Sequence, residues 1–303
     1  MIKKTIVTGG AGFIGSNLVN RLLEIGVEEI IILDNLSTGT LKNVNSDPKV
    51  KLIQVDISDS EELNKYYDQF IGTDVIFHLA AKARVQPSIK DPVLFNKNNV
   101  DGTLNMLVVA KDNNIKRFVY SASSSAYGNA IKMPLEETMP TSPMSPYGLQ
   151  KLIGEEYCKL FSFLYNIETV SLRYFNVFGE NQPTEGAYCT VIGIFSNLKK
   201  EGKPLTIVND GEQRRDMTYV GDVVLANILS ATSDKVGKGE VINIGSGKNY
   251  SVNQLADIFD APKVFIGNVI EPKETLADNS KAKELLGWSP TISVIDWLEK
   301  NIK

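Results

Sequence analysis

The stretch Thr8-Gly9-Gly10-Ala11-Gly12-Phe13-Ile14-Gly15 decides the fold of this chain. It follows the β-branched run Thr5-Ile6-Val7 and leads into a helical pattern of apolar residues from about Gly12 to Ile25. Glycines at these spacings permit a tight turn and a close approach of another group to the backbone, and the first turn of the helix offers free N–H groups. The sequence therefore predicts a strand–turn–helix unit whose turn binds a pyrophosphate.

Asp34 ends the next predicted strand, Glu29–Asp34, and lies 19 residues after Gly15. A carboxylate in this position accepts hydrogen bonds from a ribose and repels a 2′-phosphate, so that the pattern predicts NAD rather than NADP. Asp56 and Ile57 follow the third predicted strand. They have two interpretations that the sequence leaves open: they flank the adenine of the cofactor, or Asp56 is the N-cap of the next helix.

Short β-branched runs alternate with helical patterns through the first half of the chain, and they include Lys51–Val55, Asp74–Phe77, Arg117–Tyr120 and Thr169–Leu172. Apolar runs bounded by helices predict a parallel sheet that is covered on both faces, with a ligand crevice at the carboxyl ends of its strands. We therefore predict an α/β fold, a doubly wound parallel sheet (Rossmann) with a smaller, discontinuous substrate-binding lobe.

The pattern becomes irregular from about Asn176, where Gly, Pro and Asn increase and the predicted elements shorten. Val241–Ile244 nevertheless has the composition of a strand that returns to the main sheet. The predicted NAD-binding domain accordingly comprises residues 1–175 plus about 216–245. The predicted nucleotide-sugar-binding lobe comprises residues 176–215 plus about 246–303.

The composition is ordinary for a globular enzyme: 303 residues, 43% hydrophobic, 22% charged, with a net charge of −4. This balance gives no reason to expect nucleic acid or a membrane as a partner. The first residues lack the apolar core of a signal peptide, so we expect a cytoplasmic protein. Cys158 and Cys189 have no metal or redox spacing and are expected to be reduced packing residues. The single histidine, His78, is expected to be a hydrogen-bonded residue at a strand end, and no metal site is predicted.

Tyr147 and Lys151 lie four residues apart and follow Ser145-Pro146, which is typical of an N-cap and a first helical turn. Their spacing places the phenol and the ammonium on one face of the helix. A free tyrosine has a pKa near 10, so a tyrosine base at pH 7 needs on the order of 4 kcal/mol of phenolate stabilisation. A neighbouring ammonium and a cationic cofactor ring supply stabilisation of this kind.

These features together resemble the NAD-dependent epimerase/dehydratase family of extended short-chain dehydrogenases/reductases, over nearly the full chain. The resemblance also rests on the segments Asp34–Ser37, His78–Ala81, Asn98–Thr103, Ser123–Gly128, Arg173–Gly179, Asp210–Asp216 and Leu276–Ala282. Within the family the chain is most similar to UDP-hexose 4-epimerases. Gly186-Ala187-Tyr188, followed by Val191, is similar to the bacterial UDP-N-acetylglucosamine 4-epimerases.

The resemblance implies that Tyr147 is the acid/base at the sugar 4-hydroxyl, that Lys151 lowers its pKa and holds the nicotinamide ribose, and that Ser123 bonds the 4-oxygen. The implied catalytic residues are thus Ser123, Tyr147 and Lys151. The implied cofactor-binding residues are Gly9, Gly12, Phe13, Ile14, Gly15, Asp34, Asn35, Ser37, Asp56, Ile57, Ala80, Asn99, Ser121, Tyr147, Lys151 and Tyr174. The implied substrate-binding residues are Ser123, Ser124, Ser125, Asn176, Tyr188, Val191, Arg215 and Thr275, with Asn176 and Arg215 at the diphosphate.

The residues after Ser123 distinguish between the reactions of this family. Its dehydratases and decarboxylases have an acidic residue one or two positions after the serine or threonine, whereas this chain has Ser124 and Ser125. Their hydroxyl groups lack a pKa suitable for proton transfer beyond carbon 4. We therefore predict oxidation at carbon 4 by NAD, rotation of the 4-keto sugar, and return of the hydride to its other face.

The predicted reaction interconverts UDP-GlcNAc and UDP-GalNAc, and also UDP-Glc and UDP-Gal. Thr275 stands where glucose-restricted epimerases have a tyrosine, and a smaller residue leaves room for an N-acetyl group. Asn268 stands where related epimerases have an arginine that binds the diphosphate–ribose, which weakens the assignment of UDP unless Lys273 or Arg215 compensates.

Two other functions remain open. The chain is alternatively another nucleotide-sugar enzyme of the family, namely a UDP-glucuronate 4-epimerase, a 4,6-dehydratase or a decarboxylase. The more distant alternative is a non-catalytic regulatory protein, although such proteins usually lose the tyrosine–lysine pair or the glycine turn, and both are present here.

The resemblance also implies a homodimer that is held by a four-helix bundle. The expected helices are about Val93–Lys111 and Pro146–Asn166. Their apolar residues at helical spacing are Leu104, Leu107, Val108, Leu160, Phe161 and Leu164. The same residues are also compatible with packing inside the chain.

Overall fold

A seven-stranded parallel sheet forms the centre of the structure, a computed structural model that describes residues 2–186, 189–267, 269 and 271–302. The strands are β1 (Lys4–Thr8), β2 (Glu29–Asp34), β3 (Val50–Gln54), β4 (Val75–His78), β5 (Arg117–Ser123), β6 (Glu168–Tyr174), β7 (Val177–Phe178), β8 (Leu205–Val208), β9 (Arg214–Asp216), β10 (Thr218–Tyr219), β11 (Lys238–Ile244), β12 (Asn249–Ser251) and β13 (Lys263–Ile266). The order across the main sheet is β3-β2-β1-β4-β5-β6-β11.

Helices cover both faces of this sheet. They are α1 (Phe13–Glu24), α2 (Ser60–Asn64), α3 (Tyr67–Phe70), α4 (Val85–Lys90), α5 (Pro92–Asn96), α6 (Gly102–Asp112), α7 (Pro146–Tyr165), α8 (Val191–Lys200), α9 (Val220–Thr232), α10 (Val252–Ile258), α11 (Ser280–Leu286) and α12 (Val294–Asn301). A π-helical turn, Lys97–Asp101, joins α5 to α6. Among the described residues, no helix is both long and apolar enough to cross a membrane.

The strands are apolar on both sides because each side faces its own layer of helices. In β2, Ile30 and Ile32 pack in one core with α1 and α9, whereas Ile31 and Leu33 pack in the other core with α6 and α7. This is the burial expected of a parallel sheet between two helical layers. The predicted α/β doubly wound fold is therefore confirmed, and β11 returns to the main sheet as expected.

The order of the strands reverses between β1 and β4, which are neighbours in the sheet but not in sequence. The crossovers from β1 run to one side and those from β4 to the other, so the loops that follow these two strands diverge and leave a crevice. Open α/β sheets bind their ligands at such a switch point. The glycine turn after β1 and the residues after β4 meet there.

The helix α7 is fixed to the sheet by its cap and by a buried ion pair. The side chain of Ser145 accepts a hydrogen bond from Gly148 N, which confirms the predicted N-cap. The guanidinium of Arg173 on β6 donates to both carboxylate oxygens of Glu155, at 2.9 and 2.7 Å. A buried bidentate pair of this kind has specific geometry, so it sets the position of the helix on the sheet.

A separate apolar core lies in the second lobe and contains residues of α8, β8, α10 and α12, such as Phe195, Ile207 and Leu298. The helix α11 differs from the predicted division, which assigned residues from about 246 onwards to this lobe. Ala282 and Leu286 of α11, together with Trp288, pack in the core of the main sheet against α9 and β11. The short amphipathic pattern of α11 does not show which core it joins.

One interpretation of Asp56 is wrong. The N-cap of α2 is Asp59, whose side chain accepts from Glu62 N at 3.0 Å. Asp56 instead accepts from the backbone and the hydroxyl of Ser58, so that it forms a turn before the helix. A side chain that bonds two residues ahead stabilises a turn, and the next aspartate is the one in position to cap.

His78 is buried at the end of β4 and is hydrogen-bonded through both ring nitrogens, as the sequence predicted. Its partners are the hydroxyl groups of Thr8, at 2.9 Å, and Thr103, at 3.0 Å. Burial, with a smaller contribution from the charge of Lys151, lowers the pKa of His78 to about 3. The imidazole is therefore neutral in the folded protein at any pH above this value.

We predict that the single histidine of the chain does not titrate between pH 5 and 8 in the folded state. Unfolded protein binds a proton at His78 below pH 6.5 whereas folded protein does not, so the free energy of unfolding decreases as pH falls from 6.5 toward 3. The slope from this group is at most about 1.4 kcal/mol per pH unit. The measurement is the NMR signal of the imidazole Cε1–H, with urea-unfolded protein as the control. A midpoint near 6.5 in folded protein would contradict the buried network.

Candidate active site

A cleft of about 1060 Å³ opens at the carboxyl edge of the sheet, between the sheet and the second lobe. The glycine turn after β1, the loop after β4, the serine run after β5 and the start of α7 form one wall. Residues of the lobe, including Arg215, Val269 and Thr275, form the other wall. The volume lies at the upper end of the range of small-molecule sites, as expected for a cleft that takes a cofactor and a substrate together.

The glycine turn has a shape that only glycine allows at two of its positions. Gly9 has a φ of +71°, and a Cβ on it would lie 2.8 Å from the backbone nitrogen of Ala80. A Cβ on Gly15 would overlap with the carbonyl oxygen of Gly9. The first turn of α1 is thereby brought directly against the end of β1. This close approach leaves the backbone itself as the surface that meets a ligand.

Asp34 lies beside this turn and is only 8% exposed. Its two carboxylate oxygens accept from Ala11 N at 3.0 Å and from Leu36 N at 2.8 Å. Burial raises the pKa of Asp34, and these two hydrogen bonds lower it in part. Each oxygen keeps a further lone pair, so that the side chain remains able to accept from ribose hydroxyl groups.

Asp56 lies next to Asn35 at the same end of the cleft, and the Asn35 amide donates to its carboxylate at 3.2 Å. Burial alone would raise the pKa of Asp56, but hydrogen bonds from Ser58 and Asn35 and the charge of Lys97 outweigh burial and lower it. Ser37 is held through its backbone N–H, which donates to Asn35 at 3.0 Å. These polar groups therefore form an ordered rim around the far end of the cleft.

Lys151 is nearly completely buried, at 3% exposed. Its ammonium donates to the carbonyl oxygen of Ser121 at 2.7 Å and lies 5.0 Å above the ring of Tyr120. Burial lowers the pKa of Lys151 to about 8, although Cys158 and Glu155 act to raise it. The hydroxyl of Ser121 in turn bonds the phenol of Tyr174 at 3.1 Å. Lys151, Ser121 and Tyr174 thus form one polar group on the floor of the cleft.

Tyr147 begins α7 and faces the serine run. Burial raises the pKa of its phenol, and the hydroxyl of Ser123 and the charge of Arg84 lower it in part. The Ser123 hydroxyl lies 3.1 Å from the hydroxyl of Ser125. The phenol and the Ser123 hydroxyl therefore converge on one region of the cleft, which is the arrangement required to hold and move the proton of a bound alcohol.

The substrate side of the cleft contains Asn176, Arg215 and Thr275. The amide of Asn176 donates to the carbonyl oxygen of Asp216 at 2.8 Å. The guanidinium of Arg215 pairs with the carboxylate of Glu271 at 2.6 Å. Thr275 is buried, and its backbone N–H donates to Arg214 O at 3.0 Å. The lobe thus supplies a cation, two amide or hydroxyl groups and a small side chain to this wall.

Nearly all of the predicted site residues line this cleft. Gly9, Gly12, Phe13, Ile14, Gly15, Asp34, Asn35, Ser37, Asp56, Ile57, Ala80, Ser121, Ser123, Ser124, Ser125, Tyr147, Lys151, Tyr174, Asn176, Arg215 and Thr275 do so. Asn99 and Val191 are not among the lining residues. Tyr188 lies outside the described residues, as does Asn268.

Asn99 lies behind the wall and is 1% exposed. Its side chain accepts from Lys82 N at 2.8 Å and donates to Lys82 O and to Gln150, both at 2.9 Å. It therefore fixes the loop after β4 to α7 rather than reaching into the cleft. Val191 is the first residue of α8, where Cys189 and Thr190 line the cleft in its place.

Four lining residues were not predicted from the sequence: Lys82, Arg84, Cys189 and Glu271. Lys82 and Arg84 directly follow β4, and the residues after the strands next to a switch point are where a doubly wound fold binds ligands. This position was the available signal for them. Cys189 and Glu271 belong to irregular segments of the lobe, for which the sequence pattern gives no comparable signal.

The residues that are present fit a dinucleotide. The closely packed glycine turn offers backbone to a pyrophosphate, and the buried carboxylate of Asp34 stands beside it. Lys151 and Tyr174 lie further along the cleft toward Tyr147 and Ser123. The order along the cleft is therefore an anion-binding turn and a ribose acceptor at one end, and acid–base groups at the other.

Comparisons with known proteins agree with this arrangement. Residues 5–245 match the NAD dependent epimerase/dehydratase family. The UDP-glucose 4-epimerase of Mycolicibacterium smegmatis is 33% identical over 99% of this chain and 97% of its own length.

Two crystal structures superpose over 99% of this chain and 97% of theirs. The UDP-glucose 4-epimerase of Thermotoga maritima with UDP-glucose has a TM-score of 0.93 at 35% identity. The UDP-N-acetylglucosamine 4-epimerase of Methanobrevibacter ruminantium in complex with UDP-N-acetylmuramic acid has a TM-score of 0.92 at 36% identity. The predicted family is confirmed: this chain belongs to the NAD-dependent epimerase/dehydratase family.

Proposed function

We propose that this chain is a UDP-sugar 4-epimerase, an isomerase that uses the NAD of its family. It interconverts UDP-GlcNAc and UDP-GalNAc, and UDP-Glc and UDP-Gal. The observation that carries the proposal is that Tyr147 and Ser123 converge in the cleft, while the two positions after Ser123 carry only the hydroxyl groups of Ser124 and Ser125. This set supports proton transfer at one carbon and supplies no acid next to Ser123 for elimination.

The residues of the chain have separate roles in this reaction. Tyr147 takes the proton of the sugar 4-hydroxyl and later returns it, and the Ser123 hydroxyl bonds the 4-oxygen. Lys151 and Tyr174 hold the nicotinamide ribose, and Asp34 accepts from the adenosine ribose. The chemistry that NAD supplies when it is bound is the acceptance and return of a hydride. Because a hydride that returns to the other face of the sugar regenerates NAD, no exchange of the cofactor is needed.

Arg215 and Asn176 are proposed to hold the diphosphate of the substrate. The pairing of Arg215 with Glu271 supports this role, because the carboxylate orients the guanidinium at the wall of the cleft. The same pairing implies that a diphosphate shares this cation with Glu271. The charge that is available for the substrate is therefore smaller than that of an unpaired arginine.

The preference for an N-acetylated sugar rests on Thr275. Its side chain is short and lines the cleft beside Asn176, so that the wall leaves space there. The similarity to a UDP-N-acetylglucosamine 4-epimerase of known structure supports the same preference. A small residue at the wall admits the acetamido group because only steric exclusion would reject it.

We also propose a homodimer, with one correction to the predicted interface. Leu107 and Phe161 are buried in the chain's own core and cannot contribute to it. The exposed apolar residues of α7 are Leu149, Leu160, Phe163 and Leu164, and Val93 on α5 is 78% exposed. Two adjacent helices that present apolar residues in this way form half of a four-helix bundle. A cytoplasmic location stays a prediction.

The proposed reaction is tested by proton NMR of the purified protein with UDP-GlcNAc and no added NAD. We expect the anomeric signals of UDP-GalNAc to appear, since the cofactor is regenerated in each turnover. Conversion of UDP-Glc but not UDP-GlcNAc would leave the reaction intact and refute the preference for N-acetylated sugars. A 4-keto-6-deoxy or pentose product would refute the 4-epimerase, and activity on UDP-glucuronate alone would move the assignment to that sugar.

In the same assay, Tyr147→Phe should lower the rate about 10²–10⁴-fold, because it removes the group that moves the proton. The matched control is Tyr157→Phe on the same helix, where the ring packs against the apolar core and lies outside the cleft. Equal rates for the wild type and Tyr147→Phe would show that another group is the base.

Thr275→Tyr should change the choice of substrate rather than the chemistry. We expect the ratio of kcat/KM for UDP-GlcNAc to that for UDP-Glc to fall by about 10–100-fold, because the ring fills the space of the acetamido group. The ratio is independent of the fraction of folded enzyme, and Thr275→Ser serves as the control that keeps the residue small. An unchanged ratio in Thr275→Tyr would place the 2-substituent elsewhere.

The dimer is tested by light scattering after size-exclusion chromatography. We expect twice the mass of the chain for the wild type and a single mass for the double variant Leu160→Glu/Leu164→Glu, since charges are strongly unfavourable inside an apolar interface. The control is Ile131→Glu, which alters an equally exposed apolar residue away from these helices. A dimer that persists in the double variant would contradict this interface.

A further inference from the structure

Arg84 is a cation at the wall of the cleft that the proposed reaction does not yet use. We propose that Arg84 is a positioning residue of the reaction, whose guanidinium stabilises the phenolate form of Tyr147. This inference rests on the proposed function, because it gives Arg84 its role through the base of that reaction. Lys151, which the family resemblance assigned to this stabilisation, is left with the cofactor.

The backbone at Arg84 is held in an unusual conformation. Its φ is +96°, and it is the residue that precedes α4 directly after the loop from β4. A non-glycine residue with this φ is strained by about 1–3 kcal/mol, and such strain persists only where the surrounding structure enforces it. The loop is enforced on one side by Asn99, which bonds both backbone groups of Lys82. On the other side, Ser88 N donates to Arg84 O at 3.4 Å.

The same short helix is bonded to the start of α7. The hydroxyl of Ser88 accepts from Tyr147 N at 3.1 Å and donates to Val85 O at 2.7 Å. Ser88 is completely buried, so this bond is shielded from water. Arg84 and Tyr147 are therefore attached to one another through their backbones, and the distance between the guanidinium and the phenol is set by the fold.

The charges around Tyr147 favour Arg84 over Lys151 as the group that acts on the phenol. The ammonium of Lys151 is directed at Ser121 O and at the ring of Tyr120, and it does not contribute to the lowering of the pKa of Tyr147. Arg84 does contribute, and Tyr147 acts on Arg84 in turn. Tyr120, the other phenol near Tyr147, is buried, and burial raises its pKa well above 10.

The groups around Arg84 leave its charge in place. Burial raises the pKa of the Cys189 thiol, so that this neighbour is neutral at physiological pH, while Glu185 lies near the thiol. Burial also lowers the pKa of Arg84, but a guanidinium keeps its proton at any pH at which proteins are folded. A fixed positive charge in a poorly hydrated cleft acts more strongly on a phenolate than it would in water.

The consequence is a pH dependence of activity. Tyr147 accepts a proton from the sugar, so the free enzyme is active only when the phenol is ionised, and kcat/KM rises with pH to a plateau. Removal of the positive charge of Arg84 makes ionisation harder. The acidic limb of the profile must then move to higher pH, while the plateau is reached only above the new limb.

The test compares the wild type with Arg84→Met and Arg84→Lys, and uses Lys90→Met as a control that removes an exposed cation from the same helix. We expect the limb of kcat/KM for UDP-Glc to shift upward by about 1–2 pH units in Arg84→Met. Below the limb this corresponds to a loss of about 10–100-fold. Arg84→Lys should restore much of the shift, and Lys90→Met should leave the profile unchanged.

A second readout does not need activity. The ultraviolet absorption of phenolate is titrated with pH in each variant, and the contribution that disappears in Tyr147→Phe is assigned to Tyr147. We expect this contribution to shift with Arg84→Met by the same amount as the kinetic limb. If the wild type fails to epimerise any UDP-sugar, the proposed function fails, but this titration still tests Arg84. A uniform loss of activity in Arg84→Met, with both pH profiles unmoved, would reduce Arg84 to a structural role and overturn the proposal.

Discussion

The packing of α7 on β5 is the constraint on which the site depends. At Gly154 the helix approaches β5 so closely that a Cβ would overlap with the hydroxyl oxygen of Tyr120. The buried pair of Glu155 and Arg173 fixes the same turn of the helix to β6. Because Tyr147 and Lys151 lie on this helix, its position alone places the phenol at Ser123 and the ammonium at the carbonyl of Ser121. A helix held a few tenths of an ångström further out would separate both pairs.

Burial at this place opposes the charges that the chemistry needs. It raises the pKa of Tyr147 and lowers that of Lys151 to about 8, so that the folded protein without ligands favours the neutral form of both groups. The site is therefore completed by fixed positive charge from elsewhere, which Arg84 supplies from the loop after β4, and by the bound cofactor. Loops enforced by backbone hydrogen bonds, such as those of Lys82 and Ser88, keep that charge in place when water is excluded. Preorganisation of this kind is the main way in which enzymes stabilise a developing charge.

Local patterns predicted the parts of the structure that depend on local chemistry. The glycine turn, the carboxylate of Asp34, the N-cap Ser145 and the strands of the main sheet all follow from spacing and residue type, and the structure has each of them. Contacts between distant segments were not accessible in this way. The helix α11 joins the main core, Leu107 and Phe161 face inward, and Asn99 bonds a loop instead of a ligand, in each case because of a partner far away in the sequence. Arg84 is the most informative omission, since its strained backbone becomes visible only once the loop is held from both sides.

The central claim is that one carbon of the sugar is oxidised and reduced again within a single cleft, with no other bond to hydrogen broken. UDP-glucose deuterated at carbon 4 tests it most directly, when it is incubated with the protein in ordinary water and the product is analysed by NMR. The account predicts UDP-galactose that retains deuterium at carbon 4 and has gained no solvent hydrogen at carbon 5. Loss of the label from carbon 4, or exchange at carbon 5 in the reverse experiment in deuterated water, would contradict it.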